Sequence, residues 1–471
     1  MTVWATAAEI ASSVVDRQLR ASEVVEAALA RIAVGNSVLN AFTSVTAERA
    51  RARAAAIDAA LDRGEGVGPL AGVPFAVKNL FDVAGLATLA GSRINADHAP
   101  AATDALLVRR LEAAGAVLVG ALNMGEYAYD FTGENAHAGP SRNPHDPARM
   151  SGGSSGGSGA AVAGGLVPIA LGSDTNGSIR VPAAFCGVFG LKPTYGRLPR
   201  TGTFPFVASL DHLGPLARSV TDLALSYDAM QGPDEDDPAC AARAIEPVLP
   251  ALEAGTDGLR VAVLGGYFEQ DAGPEALAAV QRLATALGAR RHVALAGAAT
   301  ARAAAYIITT AEGASLHLRR LRTRPQDFDP DVRDRLIAGA LVPAPMLMQA
   351  QKIRRAFAAE VAAVFRDVDL LLAPATPFPA PAIGQRTVML GGREELLRPN
   401  IGIFTQPISF VGLPVVAVPV ASPGELPVAV QLIAPAWRED LCLRAARVLE
   451  RLGVALAPRP GADNAGNLSV F

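Results

Sequence analysis

Three segments of the chain carry residue types that suit acyl transfer. An isolated lysine, Lys78, lies in the apolar run 73–81, and two loops rich in glycine and serine follow at 151–159 and 172–180. Because glycine adopts positive φ without steric cost, such loops can turn several N–H groups toward one point while presenting a hydroxyl. An acyl-transfer site needs that geometry to stabilise the oxyanion that forms on the substrate. The three segments therefore predict a hydrolase with a serine nucleophile.

Lys78 is the strongest candidate for the base that activates such a serine. A serine hydroxyl is a poor nucleophile until an adjacent base takes its proton, and the usual partner is histidine. None of the six histidines lies in a recognisable triad motif. Phe75, Val77 and Leu80 flank Lys78, and burial among apolar side chains disfavours the ammonium form. The alternative is a lysine that extends its charged end to solvent from the end of a buried strand.

The first glycine-rich loop, 151–159, has other interpretations. A flexible linker is disfavoured, because residues 160–171 continue directly as an apolar helix and strand and so keep the loop inside a domain. A phosphate-binding P-loop is disfavoured too, since no Gly-Lys-Ser or Gly-Lys-Thr follows the glycines. An anion-binding nest of backbone N–H groups remains open.

In their order and separations, these segments resemble the amidase signature family, whose catalytic set is Ser-Ser-Lys rather than Ser-His-Asp. The similarity continues through 190–197 and 209–215. Matched residue by residue, Ser178 falls on the family's nucleophile, Ser154 on its bridging serine and Lys78 on its base. A hydroxyl both donates and accepts a hydrogen bond, so Ser154 would relay the proton between the other two. The resemblance implies an amidohydrolase of linear amides that works through an acyl-enzyme, with no cofactor and no metal.

The loop before Ser178 offers backbone N–H groups where an oxyanion hole belongs, and Thr175, Asn176 and Gly177 are its predicted members. The family's commoner form has two glycines before the serine, and here the first is Asn176. Asparagine is the side chain that best accepts left-handed backbone, and it brings an amide within reach of the substrate. With the segment 197–209 behind it, this variant looks most like the 1-carboxybiuret hydrolase branch, which acts in cyanuric acid and ureide nitrogen breakdown.

Substrate residues distinguish the branches that share this catalytic set. Relatives resembling the glutaminase subunit of a Glu-tRNA(Gln) amidotransferase meet the glutamine ammonium with an aspartate, and Gly402 lies at about that position here. They hold the α-carboxylate with an arginine, where this chain has Arg335, with Arg333 as the next candidate; the other interpretation of both arginines is a solvated helix face. An unpaired buried ammonium would be costly, so the pattern predicts a small carboxylated ureide similar to 1-carboxybiuret. The alternatives are a glutaminase of the amidotransferase kind, a general small-amide amidase and a catalytically silent assembly subunit.

Tyr127 and Asp130 complete the predicted substrate-binding set, although Asp130 puts a carboxylate where the family usually has glycine. If it faced the pocket unpaired, it would repel an anion or require a donor group on the substrate. Asp174 and Arg180 flank the nucleophile and are predicted to pair their charges and fix the loop. Cys186 is predicted to be a buried small hydrophobe.

Composition excludes several classes of protein. Half of the 471 residues are hydrophobic and 18% are charged, which allows a large buried core. The net charge of −3, with no long basic run, gives no electrostatic footprint for nucleic acid. Three widely spaced cysteines supply neither a disulfide framework nor a zinc knuckle, which suits a reducing cytoplasm. The start of the chain does not resemble a secretory signal, and no apolar run approaches the ~20 residues of a membrane span, so a cytoplasmic protein without membrane contact is predicted.

Hydrophobic periodicity predicts the elements that position these residues. Helices are expected at 7–20, 22–32 and 44–63, with Ser22 as the N-cap of the second. From residue 67 on, short β-branched runs alternate with alanine-rich helical segments. That alternation predicts an α/β fold: a mixed β-sheet core sandwiched between helices, with the N-terminal helices wrapping the sheet. The clearest predicted strands are 75–77, 116–120, 166–170, 368–374 and 413–420, and the clearest later helices are 103–114 and 221–230.

The predicted organisation has three parts. They are an N-terminal helical segment at 1–65, an amidase signature α/β/α domain at 66–457 and a C-terminal tail at 458–471. Within the domain, 233–367 matches the family's motifs least and is expected to vary with the substrate. The resemblance also implies an oligomer and a small helical accessory subunit.

Overall fold

The computed structural model describes residues 3–422 and 424–461, and one large sheet with helices around it dominates that part of the chain. The strands are β1 (Phe42–Val45), β2 (Pro74–Lys78), β3 (Val117–Leu122), β4 (Arg142–Asn143), β5 (Asp146–Met150), β6 (Ile169–Asp174), β7 (Phe189–Lys192), β8 (His212–Ala217), β9 (Val261–Leu264), β10 (Arg291–Val293), β11 (Leu370–Pro374), β12 (Thr387–Leu390), β13 (Arg393–Leu396), β14 (Val415–Val420) and β15 (Val428–Ile433). The helices are α1 (Ala7–Val15), α2 (Ala21–Leu39), α3 (Ala47–Asp62), α4 (Leu106–Ala113), α5 (Gly156–Ala163), α6 (Arg180–Cys186), α7 (Val220–Met230), α8 (Tyr267–Gln270), α9 (Pro274–Ala286), α10 (Ala298–Thr323), α11 (Pro330–Ala340), α12 (Ala344–Val364), α13 (Leu397–Asn400), α14 (Gln406–Phe410) and α15 (Glu439–Arg451).

Eleven of these strands form one sheet in the order β1-β3-β2-β6-β8-β7-β14-β15-β11-β9-β10. β2 is parallel to β3 and β6, and β9 is parallel to β10 and β11, whereas the remaining neighbours are antiparallel, so the sheet is mixed. Every residue of β2, β3, β6, β14 and β15 is buried. Successive side chains of a strand point to opposite faces, so other elements cover both faces of these strands. The predicted α/β fold with a mixed, helix-covered sheet is confirmed.

The N-terminal segment contributes helices and also one edge strand. α2 and α3 pack on strands at that end of the sheet, and α1 packs on α7. β1, inside the predicted helical segment 1–65, pairs antiparallel with β3. The predicted N-cap at Ser22 is wrong, because α2 begins at Ala21 with Arg20 as its N-cap. The Ser22 hydroxyl instead donates to Asp58 Oδ2 at 2.6 Å and so ties α2 to α3.

Most of the other predicted elements coincide with observed ones. The runs 75–77, 116–120, 368–374 and 413–420 overlap β2, β3, β11 and β14, and the two later helices overlap α4 and α7. The run 166–170 is the exception, since β6 begins only at Ile169 after a turn that follows α5. The predicted tail 458–471 lies outside the described residues from 462 onward. The division of the chain into three parts stays a prediction.

The described cysteines are all free thiols. Cys186 and Cys442 are buried, and Cys240 is partly exposed. Within residues 3–422 and 424–461, no cluster of three or more His, Cys, Asp or Glu side chains is arranged to hold a metal ion. None of the helices in this part of the chain has the length and apolar character needed to cross a membrane.

Two adjacent parallel strands bring the predicted catalytic residues together. β2 ends at Lys78, and β6 ends at Asp174, immediately before the loop that carries Ser178. Because neighbouring parallel strands run in the same direction, their carboxyl ends lie at the same edge of the sheet. α5, which follows the loop with Ser154, packs against both strands. The sheet therefore places three distant stretches of sequence at one edge.

Candidate active site

The amine of Lys78 is enclosed among hydroxyl groups. The side chain is fully buried. Its Nζ lies 2.6 Å from Ser154 Oγ, 2.9 Å from Ser173 Oγ and 3.0 Å from Ser155 Oγ. No carboxylate of the described residues lies within ion-pair distance of it. The alternative of a lysine extended to solvent is therefore wrong.

Burial makes this amine suitable as a base. It lowers the pKa of Lys78 to about 7, although the more distant carboxylates of Asp174, Asp211 and Asp130 act in the opposite direction. Near neutral pH, a large part of the amine is therefore uncharged. An uncharged amine has two hydrogens to donate and one lone pair with which to accept. One of the three surrounding hydroxyls can then donate its proton to the nitrogen.

The hydroxyls around Lys78 differ in what they can offer it. Ser155 Oγ donates to the carbonyl oxygen of Ser173 at 3.2 Å and receives the N–H of Ser173 at 3.3 Å, so toward the amine it is an acceptor. Ser154 Oγ has no hydrogen-bond partner other than Lys78 among the described residues. The proton of Ser154 is therefore available to the lone pair of Lys78, which is the direction of transfer that a base requires.

Ser154 and Ser178 approach each other from two loops. Ser154 follows a cis peptide bond from Gly153 and lies just before α5, whereas Ser178 lies between β6 and α6. Both residues are buried, yet Ser178 lines a cavity that opens to solvent. Its Oγ makes no hydrogen bond to Ser154 or to another described residue. The structure thus joins Lys78 to Ser154, while the contact between the two serines stays a prediction.

The nucleophile loop, residues 175–178, is shaped by a close backbone approach. Gly177 has φ +142°, and a Cβ on it would lie 2.2 Å from Thr405 Oγ1, so only glycine fits. Thr405 Oγ1 in turn donates to the carbonyl oxygen of Asn176 at 2.7 Å. The four N–H groups of the loop have no acceptor among the described residues. They remain free to bind an oxyanion on a ligand.

A buried ion pair anchors this loop. Arg180 and Asp174, both fully buried, meet through Nε–Oδ2 at 3.0 Å and Nη2–Oδ1 at 2.9 Å. Asp174 Oδ2 also accepts the N–H of Ile179 at 3.2 Å, and Arg180 Nη1 donates to Gln431 Oε1 at 2.6 Å. Burial alone would raise the pKa of Asp174, but Arg180 holds it well below its usual range. The predicted structural role of the pair is confirmed.

The side chains of the nucleophile loop are held from two sides. Thr175 Oγ1 donates to Asp211 Oδ1 at 2.6 Å, and Asn176 Nδ2 donates to Thr309 Oγ1 at 2.9 Å. Asn176 Oδ1 is buried without a hydrogen-bond partner in the described chain. Buried polar atoms are nearly always hydrogen-bonded, and Asn176 lines the cavity. Its oxygen is therefore an acceptor available to an N–H of a ligand.

The cavity beside the nucleophile loop has a volume of about 1050 Å³. Its walls come from the segment 128–131, from α10, α11 and α12, and from the stretch 396–406. The arginines that line it are Arg302, Arg335, Arg386 and Arg398. Asp331 pairs with both Arg386 and Arg398, whereas no carboxylate of the described chain lies within ion-pair distance of Arg302 or Arg335. The cavity therefore offers unpaired positive charge to an anionic ligand.

Asp130 lines the cavity, but its carboxylate is already satisfied. Oδ1 accepts the N–H and the hydroxyl of Thr132 at 2.9 and 2.8 Å, and Oδ2 accepts the N–H of Gly133 at 2.7 Å. Arg398 Nη1 lies 3.1 Å from Oδ1 and balances its charge. Asp130 thus fixes a turn of the wall, and the repulsion expected of an unpaired carboxylate does not arise.

Tyr127 and Arg333, both predicted to bind substrate, lie away from the cavity. The ring of Tyr127 is buried and packs on His317, with 4.0 Å between ring centroids. Arg333 forms an ion pair with its sequence neighbour on α11. Residues two positions apart on a helix point to different sides, so Arg333 does not share the cavity that Arg335 lines. The structure does not bring these two residues to the cavity that Ser178 lines.

Arg335 lines the cavity and binds the adjacent segment 128–131 through Tyr129. Its guanidinium carbon lies 3.9 Å from the centroid of the Tyr129 ring, and its Nη2 donates to the Tyr129 carbonyl oxygen. Nε donates to the carbonyl oxygen of Asp331 at 2.7 Å. These contacts stack the cation on an aromatic face and tie α11 to the segment 128–131.

At Gly402, where the glutaminase relatives would have an acid, any side chain would collide with the ring of Phe131. A Cβ on this residue would lie 2.5 Å from the ring of Phe131, which lines the cavity. A side chain at position 402 would therefore have to displace that ring. The absence of a carboxylate, predicted from the sequence, is built into the packing of this wall.

Sequence reasoning missed the residues of α10 and α14 that line the cavity. Arg302, Thr309 and Gln406 all contact groups around the nucleophile loop, yet no motif marks them. The one available signal was weak: Arg302 is the only charged residue in the alanine-rich run 298–305. The role of Cys186 was predicted correctly, since it is fully buried and its pKa is raised by burial.

The chain is similar to known amidases over most of its length. A family model described as Amidase matches residues 23–443. AtzE of the 1-carboxybiuret hydrolase of Pseudomonas sp. (strain ADP) is 57% identical over 95% of this chain and 98% of its own length. A component of the glutamyl-tRNA(Gln) amidotransferase of Anaeromyxobacter dehalogenans (strain 2CP-C) is 40% identical over 96% of both chains.

Solved structures of amidases and related enzymes are also similar to this chain. A chain of a vestigial protein complex, reported to reveal the evolutionary origins of an s-triazine catabolic enzyme, superposes with a TM-score of 0.95 at 55% identity, over 96% of this chain and 100% of the other. A component of the glutamyl-tRNA(Gln) amidotransferase from Thermotoga maritima superposes with a TM-score of 0.79 at 32% identity, over 93% and 94% of the two chains.

Proposed function

Because this chain belongs to the amidase signature family and is an amidohydrolase, we propose that it cleaves a C–N amide bond of a small carboxylated ureide, similar to 1-carboxybiuret, and releases ammonia. The observation that carries the proposal is the buried contact of 2.6 Å between Lys78 Nζ and Ser154 Oγ, next to a cavity that Ser178 lines. A neutral buried amine, a hydroxyl relay and an accessible hydroxyl are the parts that an acyl-enzyme mechanism needs.

The first half of the reaction uses Lys78 as a base. Ser178 Oγ attacks the amide carbon while its proton passes to Ser154, and the Ser154 proton passes to the lone pair of Lys78. The C–O bond forms, and the carbonyl π-electrons move to oxygen. The N–H groups of Thr175, Asn176 and Gly177 would stabilise the resulting oxyanion, since they have no acceptor among the described residues.

The second half reverses the direction of proton flow. Lys78, now charged, returns a proton through Ser154 to the leaving nitrogen, the C–N bond breaks, and ammonia departs. Water then attacks the acyl-enzyme with the same base, and the acid product leaves Ser178 free. The relay through Ser154 is supported by the hydrogen bond of its hydroxyl to Lys78, since Ser154 Oγ forms a hydrogen bond to no other group of the described residues.

The substrate class follows from the relatives and from the charge of the cavity. The 57% identity to AtzE of a 1-carboxybiuret hydrolase extends over almost all of both chains. A carboxylated ureide carries one negative charge, and Arg302, which lines the cavity, has no carboxylate within ion-pair distance among the described residues. Asn176 Oδ1, buried and unpartnered, would accept an N–H of the planar urea group. These features together favour an anionic urea derivative over a neutral amide.

Glutamine hydrolysis is the second candidate, because a component of a glutamyl-tRNA(Gln) amidotransferase is also similar at 40% identity. Free glutamine carries an ammonium group that needs a buried acid. Gly402 packs against Phe131 where such an acid would have to fit. Asp130 does not replace it, since Arg398 and two backbone N–H groups already occupy its carboxylate.

An oligomeric assembly that includes a small helical accessory subunit is part of the proposal, together with a cytoplasmic location. The solved relative at 55% identity is described as a protein complex. Around the connection between α11 and α12 this chain exposes the apolar side chains of Ile337, Leu341, Met346 and Met348, of which Met346 also lines the cavity. Such a cluster is what a docking helix would cover. Co-purification with the products of neighbouring genes, followed by mass measurement in solution, tests this part.

An ammonia-release screen tests the activity. Purified protein, with any co-purifying subunit present, is offered 1-carboxybiuret, biuret, malonamate, glutamine and an aryl amide at equal concentrations. The expected result is the largest kcat/KM for 1-carboxybiuret. Faster turnover of glutamine or of the neutral aryl amide would overturn the proposed substrate class, and no turnover of any amide would overturn the mechanism.

A further inference from the structure

Arg302 lies on the face of α10 that meets the nucleophile loop. Thr309, seven residues farther along the same helix, accepts the hydrogen bond from Asn176 Nδ2 at 2.9 Å. Residues seven apart share a helix face and are separated by about 10 Å along its axis. Arg302 therefore lines the same cavity as Ser178, about two helical turns from the contact that α10 makes with the nucleophile loop.

The guanidinium of Arg302 is held in place but not neutralised. Nε donates to Gln406 Oε1 at 3.1 Å, and Nη2 donates to the carbonyl oxygen of Pro399 at 2.8 Å and to Asn400 Oδ1 at 3.0 Å. All of these acceptors are uncharged. The Tyr267 hydroxyl, which donates to the carbonyl oxygen of Ile403 at 3.1 Å, lies beside the guanidinium, and no carboxylate of the described chain accepts a hydrogen bond from Nη1. Because arginine keeps its charge at any pH that a protein tolerates, the cavity wall carries a fixed cation without a counter-ion.

Gln406 presents a second donor beside that cation. A guanidinium only donates hydrogen bonds, so the atom of Gln406 that meets Arg302 is the carboxamide oxygen, and Nε2 points the other way. Gln406 lines the cavity, and its Nε2 donates no hydrogen bond within the described residues. The preceding residue, Thr405, is bonded to the carbonyl oxygen of Asn176 at 2.7 Å. The Arg302–Gln406 pair is therefore tied to the nucleophile loop through one residue.

We propose that Arg302 and Gln406 together bind the carboxylate of the substrate and make the site selective for anionic over neutral ureas, an inference that rests on the proposed function. Arg302 Nη1 and Gln406 Nε2 supply the donors for the two carboxylate oxygens. Asn176 Oδ1 accepts an N–H nearer the nucleophile, so the substrate is fixed at two points with its amide carbon over Ser178.

Arg335 has a different role in this assignment. It stacks on Tyr129 and uses Nε and Nη2 for carbonyl oxygens of the protein, so it is a positioning residue for the segment 128–131. Replacing it by glutamine removes the same charge from the same cavity as Arg302→Gln does. Arg335→Gln is therefore a matched control for Arg302→Gln.

The test measures binding to the inactive Ser178→Ala protein, so that no ligand is consumed. The probes are ureidoacetate and its uncharged amide, ureidoacetamide, titrated calorimetrically against Ser178→Ala alone and with Arg302→Gln, Gln406→Leu, Arg302→Lys or Arg335→Gln added. Arg302→Gln should weaken ureidoacetate about 10- to 100-fold and ureidoacetamide less than about 3-fold, because a charged hydrogen bond is lost only with the first. Gln406→Leu should weaken ureidoacetate by about 2- to 10-fold.

Two control variants decide whether Arg302 binds the carboxylate or has only a structural role. Arg302→Lys keeps the charge and should retain most of the preference for the carboxylate ligand, whereas Arg335→Gln should leave the ratio of the two affinities within about 3-fold of the parent. Equal weakening of both ligands by Arg302→Gln would show a structural role and overturn the inference. A ratio that collapses in Arg335→Gln but not in Arg302→Gln would assign the carboxylate to Arg335 and leave the proposed function intact.

The proposed function fails separately from this inference. It is overturned if the wild-type protein turns over glutamine or a neutral amide faster than 1-carboxybiuret. The affinity ratio of ureidoacetate to ureidoacetamide is measured without turnover and still decides whether Arg302 and Gln406 select a carboxylate. A parent protein that binds both probes equally well would overturn the inference even if 1-carboxybiuret is hydrolysed.

Discussion

Two parts of the cavity, which we call the floor and the wall, differ in how far the protein itself satisfies their polar and charged groups. The floor comprises Lys78, Ser154, the nucleophile loop 175–178 and the Asp174–Arg180 pair that anchors it. Apart from Ser178 Oγ and Asn176 Oδ1, which face the ligand, its polar side chains bind partners supplied by the described chain. The wall comprises α10 to α12 and the stretch 396–406. There, Arg302 and Arg335 have no carboxylate partner in the described chain, whereas in the floor the guanidinium of Arg180 is fully paired.

We interpret this difference as a division of roles, in which the floor carries out the reaction and the wall selects the substrate. A base must be dry to lose its proton near neutral pH, so the floor has to be closed. A group that discriminates between ligands must keep an unmet hydrogen bond or charge until the ligand arrives, so the wall has to be open. The same argument predicts that changes in the floor affect every amide, whereas changes in the wall affect one class of amide more than another.

Ser178→Ala should have the largest effect, because it removes the proposed nucleophile from the floor and leaves the wall intact. We expect kcat to fall by at least ~10,000-fold for every amide, since no acyl-enzyme can form. Ligand affinity and the thermal unfolding temperature should stay close to wild type. Ammonia release measures kcat, and calorimetry measures both the ligand affinity and the unfolding temperature. Retention of most of the wild-type kcat would rule out Ser178 as the nucleophile.

Lys78→Ala should have the next largest effect, because it removes the base but leaves the nucleophile in place. We expect kcat to fall by about 1,000-fold or more. The pH dependence of the wild type sharpens the test. Since the pKa of Lys78 is about 7, the amine accepts a proton above that pH and is charged below it, so kcat/KM should fall as the pH drops below about 7. A flat profile down to about pH 5 would contradict a lysine base.

Asp174→Asn probes the closed electrostatics of the floor. It leaves Arg180 fully buried without a counter-ion, so the free energy of unfolding should drop by about 3–5 kcal/mol. The matched control is Asp62→Asn, which breaks the exposed pair between Arg20 and Asp62 and should lower the free energy of unfolding far less, because solvent screens that pair. Urea titration of both variants gives the comparison. Equal losses would show that burial does not distinguish the two pairs.

Ser154→Ala should be intermediate, because water can replace a relay hydroxyl but not the base. We expect kcat to fall by about 100-fold, which lies within the usual contribution of proton transfer. Ser155→Ala is the control, since Ser155 also contacts Lys78 but points its proton at Ser173. Steady-state kinetics should show a smaller loss for Ser155→Ala. A Ser154→Ala variant as fast as wild type would remove Ser154 from the mechanism.

Gly402→Ala should have the smallest effect, and it tests the packing of the wall. The added Cβ would press on Phe131, so we expect a loss of about 1–3 kcal/mol in the free energy of unfolding. Phe131→Ala in the same chain should make Gly402→Ala less costly, because the obstructing ring is gone. If the losses in the free energy of unfolding simply added, position 402 would not be packed against the Phe131 ring.

Much of the floor was readable from the sequence because its function needs particular residue types at short spacing. Glycines that permit a close backbone approach, serines beside them and a lysine in an apolar strand are local features. The same holds for the predicted pairing of Asp174 with Arg180, which are six residues apart. Strand and helix positions mostly followed from hydrophobic periodicity. The predictions were wrong where β6 begins only at Ile169, where α1 ends at Val15 rather than at residue 20, where β1 takes the first residues of the predicted helix 44–63, and where Ser22 was assigned as a cap.

The wall was poorly readable because its residues come from distant segments and share no motif. Arg333 and Arg335 look equivalent in the sequence, and only the rotation of α11 separates them. Tyr127 was a candidate by position, yet its ring packs on His317 away from the cavity. Arg302 and Gln406 are 104 residues apart and meet only because α10 packs against α14.

The residue types proposed for catalysis, the α/β alternation and the need for glycine at Gly177 can be read from short stretches of the chain, because local chemistry and backbone sterics act over a few residues. The tertiary structure decided which charges are neutralised. Asp130 is paired by Arg398 across 268 residues of chain, whereas Arg302 receives only uncharged acceptors from the described residues. Whether a charge is matched depends on what the fold brings within a few ångströms of it, and no local pattern in the sequence encodes that distance.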